Sequence, residues 1–335
     1  MHLRSSLLAA GAVSALTAFA IAAPAIAANP IYSGGERGSY FNSFGPLLEE
    51  LLDDNFLDYE VVATAGSGEN IDRVLENPLA VGMTQSDVLA FRAANDPALA
   101  DSITIMRNDV AVECLYAVTT EQNAERLENW GGVRGLARRL RIATGPEASG
   151  AATTFRFLQS IDPDLARANN IAYMDSVDTA IGAVISGDAD LAFFVQFADT
   201  GNERFEDIND AELVFIPVVD RSILRQEVNG ERVYVAQQVK VTSAGLLSWS
   251  GVTEIVTACT PLAYITGNPE LLPAGSNERL DLEDVISIVA EADLDDLQPE
   301  EDWFQSVLDD AATMTDSALE ATLAEIEATS QRVFE

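Results

Sequence analysis

Residues 64–70 read Thr64-Ala65-Gly66-Ser67-Gly68-Glu69-Asn70 and form a Gly-rich turn between an apolar run and an amphipathic one. The run before this turn, from Tyr59 to Thr64, predicts a strand, and the run after it, from Glu69 to Glu76, predicts a helix. The same order of strand, turn and helix occurs on both sides: a turn at residues 34–39 follows the strand Ile31-Tyr32, and Gln85-Ser86-Asp87 follows the strand from Leu79 to Met83. Three such units in succession predict an α/β fold with a mostly parallel sheet.

A second α/β series begins after a basic stretch at residues 134–141. The predicted strand at residues 140–144 is followed by Gly145-Pro146-Glu147-Ala148-Ser149-Gly150 and a helix. A further unit has a helix at residues 177–185, with Gly187 in the position of a helix C-cap, and a strand at residues 191–195. A long β-rich run, residues 251–266, follows, and acidic amphipathic helices are expected from residue 282 onward.

The charge balance of the chain excludes several kinds of partner. Of 335 residues, 54 are Asp or Glu and 19 are Lys or Arg, and the formal net charge is −35. A surface this acidic repels phosphate backbones and anionic membranes, so no nucleic-acid partner is expected. The length suits two domains of ordinary size.

The first 27 residues have the pattern of a secretory signal peptide. Arg4 precedes an apolar run from Leu7 to Ala27, which ends in the small-x-small site Ala25-Ile26-Ala27. Cleavage there predicts a periplasmic protein; the alternative is an uncleaved membrane anchor, because the run is long enough to span.

Cleavage would also remove the one histidine of the sequence, His2. A mature chain without histidine lacks Ser-His-Asp and Cys-His catalytic machinery and His-containing zinc sites. We therefore expect no metal, no cofactor and no enzymatic activity. A His-independent enzyme with paired carboxylates is the weaker alternative.

The Gly-rich turns predict a binding site. They follow the carboxyl ends of strands, the edge at which open α/β sheets bind ligands, and each exposes backbone N–H groups at the positive end of a helix dipole. Two turns facing a third would suit a small carboxylate. The alternative for each turn is ordinary helix capping. The candidate ligand-binding residues are Gly35, Arg37, Gly38, Ser39, Tyr40, Ser67, Gly68, Asn70, Gln85, Ser86, Asp87, Ser149, Gly150, Thr153, Phe194 and Gln196.

Some of these candidates have a second interpretation of their own. Arg37 either binds a ligand carboxylate or forms a surface ion pair with Glu36 or a neighbouring acid. Phe194 either provides an apolar wall of the site or belongs to the core. Gln196 either provides an amide to the site or is a surface residue at the end of its strand. Tyr40 either closes over the ligand or packs on the first helix, and Asp87 either binds an ammonium group or caps its helix.

The order of the turns in residues 31–40, 64–70, 85–87, 145–154 and 187–194 resembles the TAXI family. These proteins are the extracytoplasmic solute-binding subunits of tripartite ATP-independent periplasmic (TRAP) transporters. The resemblance covers about residues 29–266 and implies a two-lobed periplasmic-binding fold of type II, with the ligand cleft between the lobes. The first lobe would comprise residues 28–118 and 248–335, and the second lobe residues 119–247.

The resemblance implies a monomeric protein that captures a small organic anion or amino acid and delivers it to the membrane subunits of a TRAP transporter. A periplasmic subunit that presents its bound state to a membrane receptor is the alternative, because it would use the same cleft. In the implied fold, the strands that carry Cys114 and Cys259 are neighbours, so the two cysteines are a candidate disulfide. Two buried free thiols are the alternative.

Overall fold

The structure is a computed structural model that describes residues 28–127, 129–198, 201–228, 231–242 and 254–299, with the isolated residue 324. The predicted signal peptide and nearly all of the chain beyond residue 299 lie outside these residues. The strands are β1 (Asn29–Tyr32), β2 (Tyr59–Val62), β3 (Val81–Gln85), β4 (Ile103–Arg107), β5 (Val112–Thr119), β6 (Ile142–Thr144), β7 (Ile171–Tyr173), β8 (Leu191–Gln196), β9 (Val214–Pro217), β10 (Glu227–Val228), β11 (Glu231–Arg232), β12 (Val235–Lys240) and β13 (Glu254–Gly267).

The helices surround these strands on both faces. They are α1 (Gly45–Asp54), α2 (Ser67–Glu76), α3 (Ser86–Asn95), α4 (Pro97–Ser102), α5 (Glu121–Leu127), α6 (Trp130–Leu136), α7 (Gly150–Ile161), α8 (Val177–Ile185), α9 (Glu203–Asp210), α10 (Arg221–Leu224) and α11 (Asn277–Glu291). A π-helical turn, Tyr40–Phe44, leads directly into α1. Gly187 follows α8 with φ = +80°, the left-handed conformation predicted for it at the end of that helix.

The sheet consists of two halves with the same internal order. The first is β2-β1-β3-β13-β4 and the second is β7-β6-β8-β5-β9. In each half the first three strands are parallel, and the fourth runs antiparallel to both of its neighbours. We call the first half with its helices the first lobe, and the second half with its helices the second lobe.

Two crossing strands join the lobes. After the first lobe the chain enters the second as β5, and it returns along β13, which pairs with β12 over residues 254–259 and with β3 over residues 262–266. The chain thus builds one lobe inside an excursion from the other. The predicted fold class, a two-lobed periplasmic-binding-protein fold of type II, is confirmed.

The lobe boundary at residues 118/119 stays a prediction, and the strand before it, β5, pairs mainly with strands of the second lobe. Residues 114–118 pair with β8 and residues 116–119 pair with β9, so β5 belongs to the sheet of the second lobe. A strand's own sequence does not state its partners, and an apolar strand suits either sheet. The predicted return at residues 247/248 lies outside the described residues.

A disulfide joins the two crossing strands. Cys114 in β5 and Cys259 in β13 lie opposite each other in the antiparallel ladder, with 3.9 Å between their Cα atoms. Both residues are fully buried. The bridge closes a loop over a sequence separation of 145 residues, which contains the excursion into the second lobe.

Each lobe has an apolar core of its own. The first lobe packs Phe44 and Tyr264 with the buried face of α11, and the second packs Trp130 and Phe193 between its sheet and α6 and α7. Among the described residues, no helix combines the length and apolar character needed to cross a membrane.

Candidate functional site

A cavity of about 530 Å³ lies between the two lobes. The first lobe contributes residues 34–40, residues 64–67 and Gln85, and the second contributes Pro146, residues 149–151, residues 175–178 and residues 195–197. Glu113, on the crossing strand β5, also lines the cavity. A volume of this size suits a small molecule.

Helix starts from both lobes meet at the cavity. Its lining includes Ser39 and Tyr40 before α1, Ser67 at the start of α2, Ser149 and Gly150 at the start of α7, and Ser176 at the start of α8. Backbone N–H groups at a helix start carry partial positive charge, so the amino-terminal ends of α2, α7 and α8 favour an anionic group in the cavity. The sequence had pointed to the first three of these starts and not to that of α8.

The serines at these helix starts have different bonds. Ser149 caps α7, because its hydroxyl accepts a hydrogen bond from the N–H of Ala152 at 3.3 Å. Ser67 instead accepts from the backbone N–H of Gln85 at 3.1 Å, while Gly66 occupies the N-cap position of α2 with φ = +112°. Such a φ strains any residue with a Cβ atom, so the turn requires glycine at position 66. Capping therefore explains Ser149 and leaves Ser67 as a link between α2 and β3.

The most deeply placed charged group in the cavity wall is Glu113. Its side chain accepts a hydrogen bond from the Tyr40 hydroxyl at 2.5 Å, and the residue is 7% exposed. Burial raises the pKa of Glu113 to about 7, against the opposing effect of hydrogen bonds from Tyr40 and Gln85. Burial, together with the charge of Glu113, holds the pKa of Tyr40 well above its usual range. Near neutral pH, Tyr40 therefore keeps its proton and donates a hydrogen bond, whereas Glu113 is protonated in part of the molecules and ionised in the rest.

The mouth of the cavity is crossed by ion pairs. Arg37 of the first lobe lies 3.4 Å from Glu203 and 3.8 Å from Asp178, both in the second lobe, and its side chain is 78% exposed. Arg204 donates to Asp178 at 2.8 Å and to the side-chain oxygen of Gln196. Each arginine that lines the cavity thus already has an acidic partner.

Ten of the sixteen candidate ligand-binding residues line the cavity. These are Gly35, Arg37, Gly38, Ser39, Tyr40, Ser67, Gln85, Ser149, Gly150 and Gln196. The structure brings them together from five separate segments of the chain. Whether they bind a ligand stays a prediction.

Asn70 and Asp87 are buried behind the cavity wall. Asn70 donates to the carbonyl groups of Ser33 and, at 2.7 Å, of Met83, and so ties β1 to β3. Asp87 accepts from Thr154 at 2.6 Å and from Tyr234 at 2.7 Å, which links α3 to the second lobe. Burial raises the pKa of Asp87.

Phe194 is also a core residue rather than a wall of the cavity. Its ring is fully buried and stacks on Tyr116 with 5.2 Å between the ring centroids. Only the carboxyl end of β8 reaches the cleft, and Phe194 lies two residues before that end. The apolar surface that the sequence analysis assigned to Phe194 comes from Phe197, which lines the cavity and stacks on Phe44 at 4.9 Å.

The remaining three candidates lie beside the cavity. Ser86 lines a separate hollow that also includes residues of α3 and α4. The Thr153 hydroxyl accepts a hydrogen bond from Arg156 at 2.9 Å. Gly68 faces the loop before α7 so closely that an added Cβ atom would lie 2.7 Å from the carbonyl oxygen of Ala148. The lobes are therefore in direct backbone contact beside the cavity.

Sequence reasoning missed Glu113, Asp178 and Arg204. Glu113 had a readable signal, because it is the lone charged residue in the apolar strand 112–119. An ionisable side chain in such a strand must be paired, neutral or functional. Asp178 and Arg204 had no signal, because each lies in a polar helix start like many others in this chain.

No protein-family model and no curated protein matches the chain. Solved structures with a similar backbone include MatC from Rhodopseudomonas palustris with bound malate, at 13% identity, with 93% of this chain and 100% of that chain covered and a TM-score of 0.46. PhnD1 from Prochlorococcus marinus, in complex with methylphosphonate, has 13% identity, coverage of 84% and 89%, and a TM-score of 0.45. The arginine-, lysine-, histidine-binding protein ArtJ from Geobacillus stearothermophilus has 10% identity, coverage of 78% and 89%, and a TM-score of 0.42. These likenesses are too remote to indicate what this chain binds, and its fold assignment rests on its own strand order.

Proposed function

We propose that the protein is a periplasmic solute-binding protein that captures a small organic anion or amino acid in the cleft between its lobes. The observation that carries this proposal is the cavity of about 530 Å³, onto which helix starts from both lobes converge. Helix starts supply fixed partial positive charge for a carboxylate without requiring an arginine. A cleft lined by two lobes also gives the ligand a means to hold those lobes together.

Two crossing strands connect the lobes, and hinge motion at such strands would open the cleft. In the closed arrangement, Arg37 meets acids of the opposite lobe, Gly68 meets Ala148, and Asp87 meets Thr154. These contacts would be lost on opening, so a ligand that binds both lobes would favour them. Capture by closure is the behaviour that a transport subunit requires.

The proposed destination of the solute is the membrane part of a TRAP transporter. This step rests on the resemblance of the Gly-rich turns to the TAXI family, as does a monomeric state. The periplasmic location rests on the signal-peptide pattern of residues 1–27. Reconstitution with the membrane subunits in proteoliposomes, followed by uptake of labelled solute, tests delivery.

A thermal-shift screen of amino acids, 2-oxo acids and dicarboxylates tests the binding function. A ligand that binds the folded state alone raises the melting temperature in proportion to the logarithm of its concentration. We expect at least one of these acids to raise it. The proposal fails if none does, or if stabilisation comes from apolar solutes alone.

The substitution Gly68→Ala is expected to weaken the binding of any such solute about tenfold or more, because the added methyl group would meet the Ala148 carbonyl of the opposite lobe. The matched control is Gly182→Ala in α8, where an added Cβ atom has no neighbour within 4 Å. Both changes place alanine in a helix, which by itself stabilises the fold. Calorimetric titration of both variants measures the difference; equal affinities would show that the contact at Gly68 does not accompany binding.

A further inference from the structure

Glu113 is a buried carboxylate that faces the cavity and has neutral partners. The Tyr40 hydroxyl donates a hydrogen bond to Glu113 at 2.5 Å, the Gln85 side chain acts to lower the pKa of Glu113, and neither residue is charged near neutral pH. Among the described residues, no arginine or lysine forms a salt bridge with Glu113. A buried carboxylate normally has a cationic partner or holds a proton, because burial without either is costly.

The rest of the lining does not supply that cation. Arg37 and Arg204 are both paired with acids of the second lobe, and the other ionisable lining residues in the described ranges, apart from Tyr40, are acids. The cavity lining therefore combines the partial positive charge of helix starts with an acid that has no cationic partner among the described residues. This arrangement complements a ligand that carries both signs of charge.

We propose that Glu113, with Tyr40 and Gln85, binds a protonated amine of the solute, which makes the solute a small zwitterion such as an α-amino acid. Its carboxylate lies at the helix starts of α2 and α7. This inference rests on the proposed function and makes it more specific, because it selects amino acids over organic anions without an amine. The amine provides a positive charge opposite Glu113, and its protons suit acceptor oxygens.

A ligand with a second carboxylate at this position would require the opposite state of Glu113. The acid would have to keep its proton and donate it to the ligand, because two carboxylates in contact repel each other. The two alternatives predict opposite dependence on pH. An amine binds the ionised form of Glu113, so its affinity rises with pH, whereas a carboxylate binds the protonated form, so its affinity falls.

The surroundings of Glu113 leave it as the group that titrates in this range. Tyr40, in the turn before α1, and Asp87, at the start of α3, are the titratable groups that act on it. The flanking strands β8 and β9 carry no titratable side chain, and β13 places Thr260 opposite it. The charged groups that share the cavity are Glu36, Arg37, Asp175, Asp178 and Arg204.

With a pKa of about 7, Glu113 is about 1% ionised at pH 5, so amine binding should be about 100-fold weaker there than at pH 8.

Calorimetric titration with matched pairs of ligands tests the inference. Each pair is an α-amino acid and its 2-oxo acid, for example glutamate with 2-oxoglutarate and alanine with pyruvate. In the wild-type protein at pH 8, we expect the amino acid to bind about 100-fold more tightly than its 2-oxo acid. In Glu113→Gln, this preference and the dependence on pH should both disappear. The control Glu60→Gln makes the same chemical change on an exposed residue of β2 and should retain both.

Three results would overturn the inference while leaving the proposed function intact. These are 2-oxo acids or dicarboxylates that bind as tightly as amino acids, affinity that increases as the pH falls, and unchanged preference in Glu113→Gln. Failure of every compound to bind would overturn the proposed function, and this inference with it. Unaltered circular dichroism of Glu113→Gln shows that a loss of affinity comes from the site rather than from the fold.

Discussion

Joint replacement of Cys114 and Cys259 by alanine is expected to lower the free energy of unfolding by about 5 kcal/mol, on the chain-entropy model for a closed loop of this length. The bridge limits the unfolded chain over a sequence separation of 145 residues, and this restriction disfavours unfolding. Urea denaturation of the wild-type and double variant, both without reductant, measures the difference.

Reduction of the wild-type protein provides the matched control for this prediction. With dithiothreitol, the wild-type protein should lose most of the same stability, and the double variant should be unaffected. Titration of thiols in the denatured, unreduced wild-type protein should detect none, since the two cysteines of the sequence are joined in the bridge. Two titratable thiols, or a loss below about 1 kcal/mol in the double variant, would contradict the bridge and its role.

The substitution Glu113→Gln is expected to stabilise the ligand-free protein by about 3 kcal/mol at pH 8. The folded-state pKa of Glu113 is about 7 and its ordinary value is 4.5, so the folded protein holds this proton more tightly than the unfolded chain does. The free energy of unfolding therefore falls as the pH rises from about 4.5 to about 7, and the full cost is present above that range. Glutamine has nearly the same shape as glutamate and keeps a side-chain oxygen that accepts hydrogen bonds. Because glutamine carries no charge, it removes the cost of burying an ionised carboxylate.

Denaturation of both proteins at pH 4 and pH 8 tests this prediction. The stabilisation should nearly vanish at pH 4, where Glu113 is protonated in the folded state and mostly protonated in the unfolded state, and it should be present in full at pH 8. Glu60→Gln again serves as the control, since Glu60 is exposed. A difference between variant and wild-type that is the same at both pH values would show that Glu113 does not titrate in a buried site.

The two experiments on Glu113 describe a compromise between stability and binding. The same buried carboxylate that destabilises the empty protein at neutral pH is expected to provide the counter-charge for an amine. Binding sites commonly contain groups that the fold alone would not select. Glu113→Gln should therefore produce a more stable protein that binds its solute less well, and this combination is not expected of a structural residue.

Patterns local in sequence predicted the elements around the cleft. The strands β1, β2 and β3 were each identified from an apolar run followed by a polar or Gly-rich turn. The helix starts at Ser67 and Ser149 were identified from the residues of the Gly-rich turns that contain them. The left-handed conformation of Gly187 was likewise predicted from its place after an amphipathic run. Each of these features depends on interactions within a few residues, which is why composition and spacing are sufficient to find them.

The set of residues that line the cavity depends on contacts between residues far apart in the chain. Glu113 meets Tyr40 across 73 positions, and Arg37 meets Glu203 across 166. Whether Asp87 or Glu113 faces the cavity is set by which strand lies beside which, and the pKa of Glu113 is set by the packing that excludes water from it. Local sequence thus determines that helix starts are available to bind an anion, whereas only the pairing of the two lobes places an acid among them, because burial and charge proximity are properties of three-dimensional neighbours.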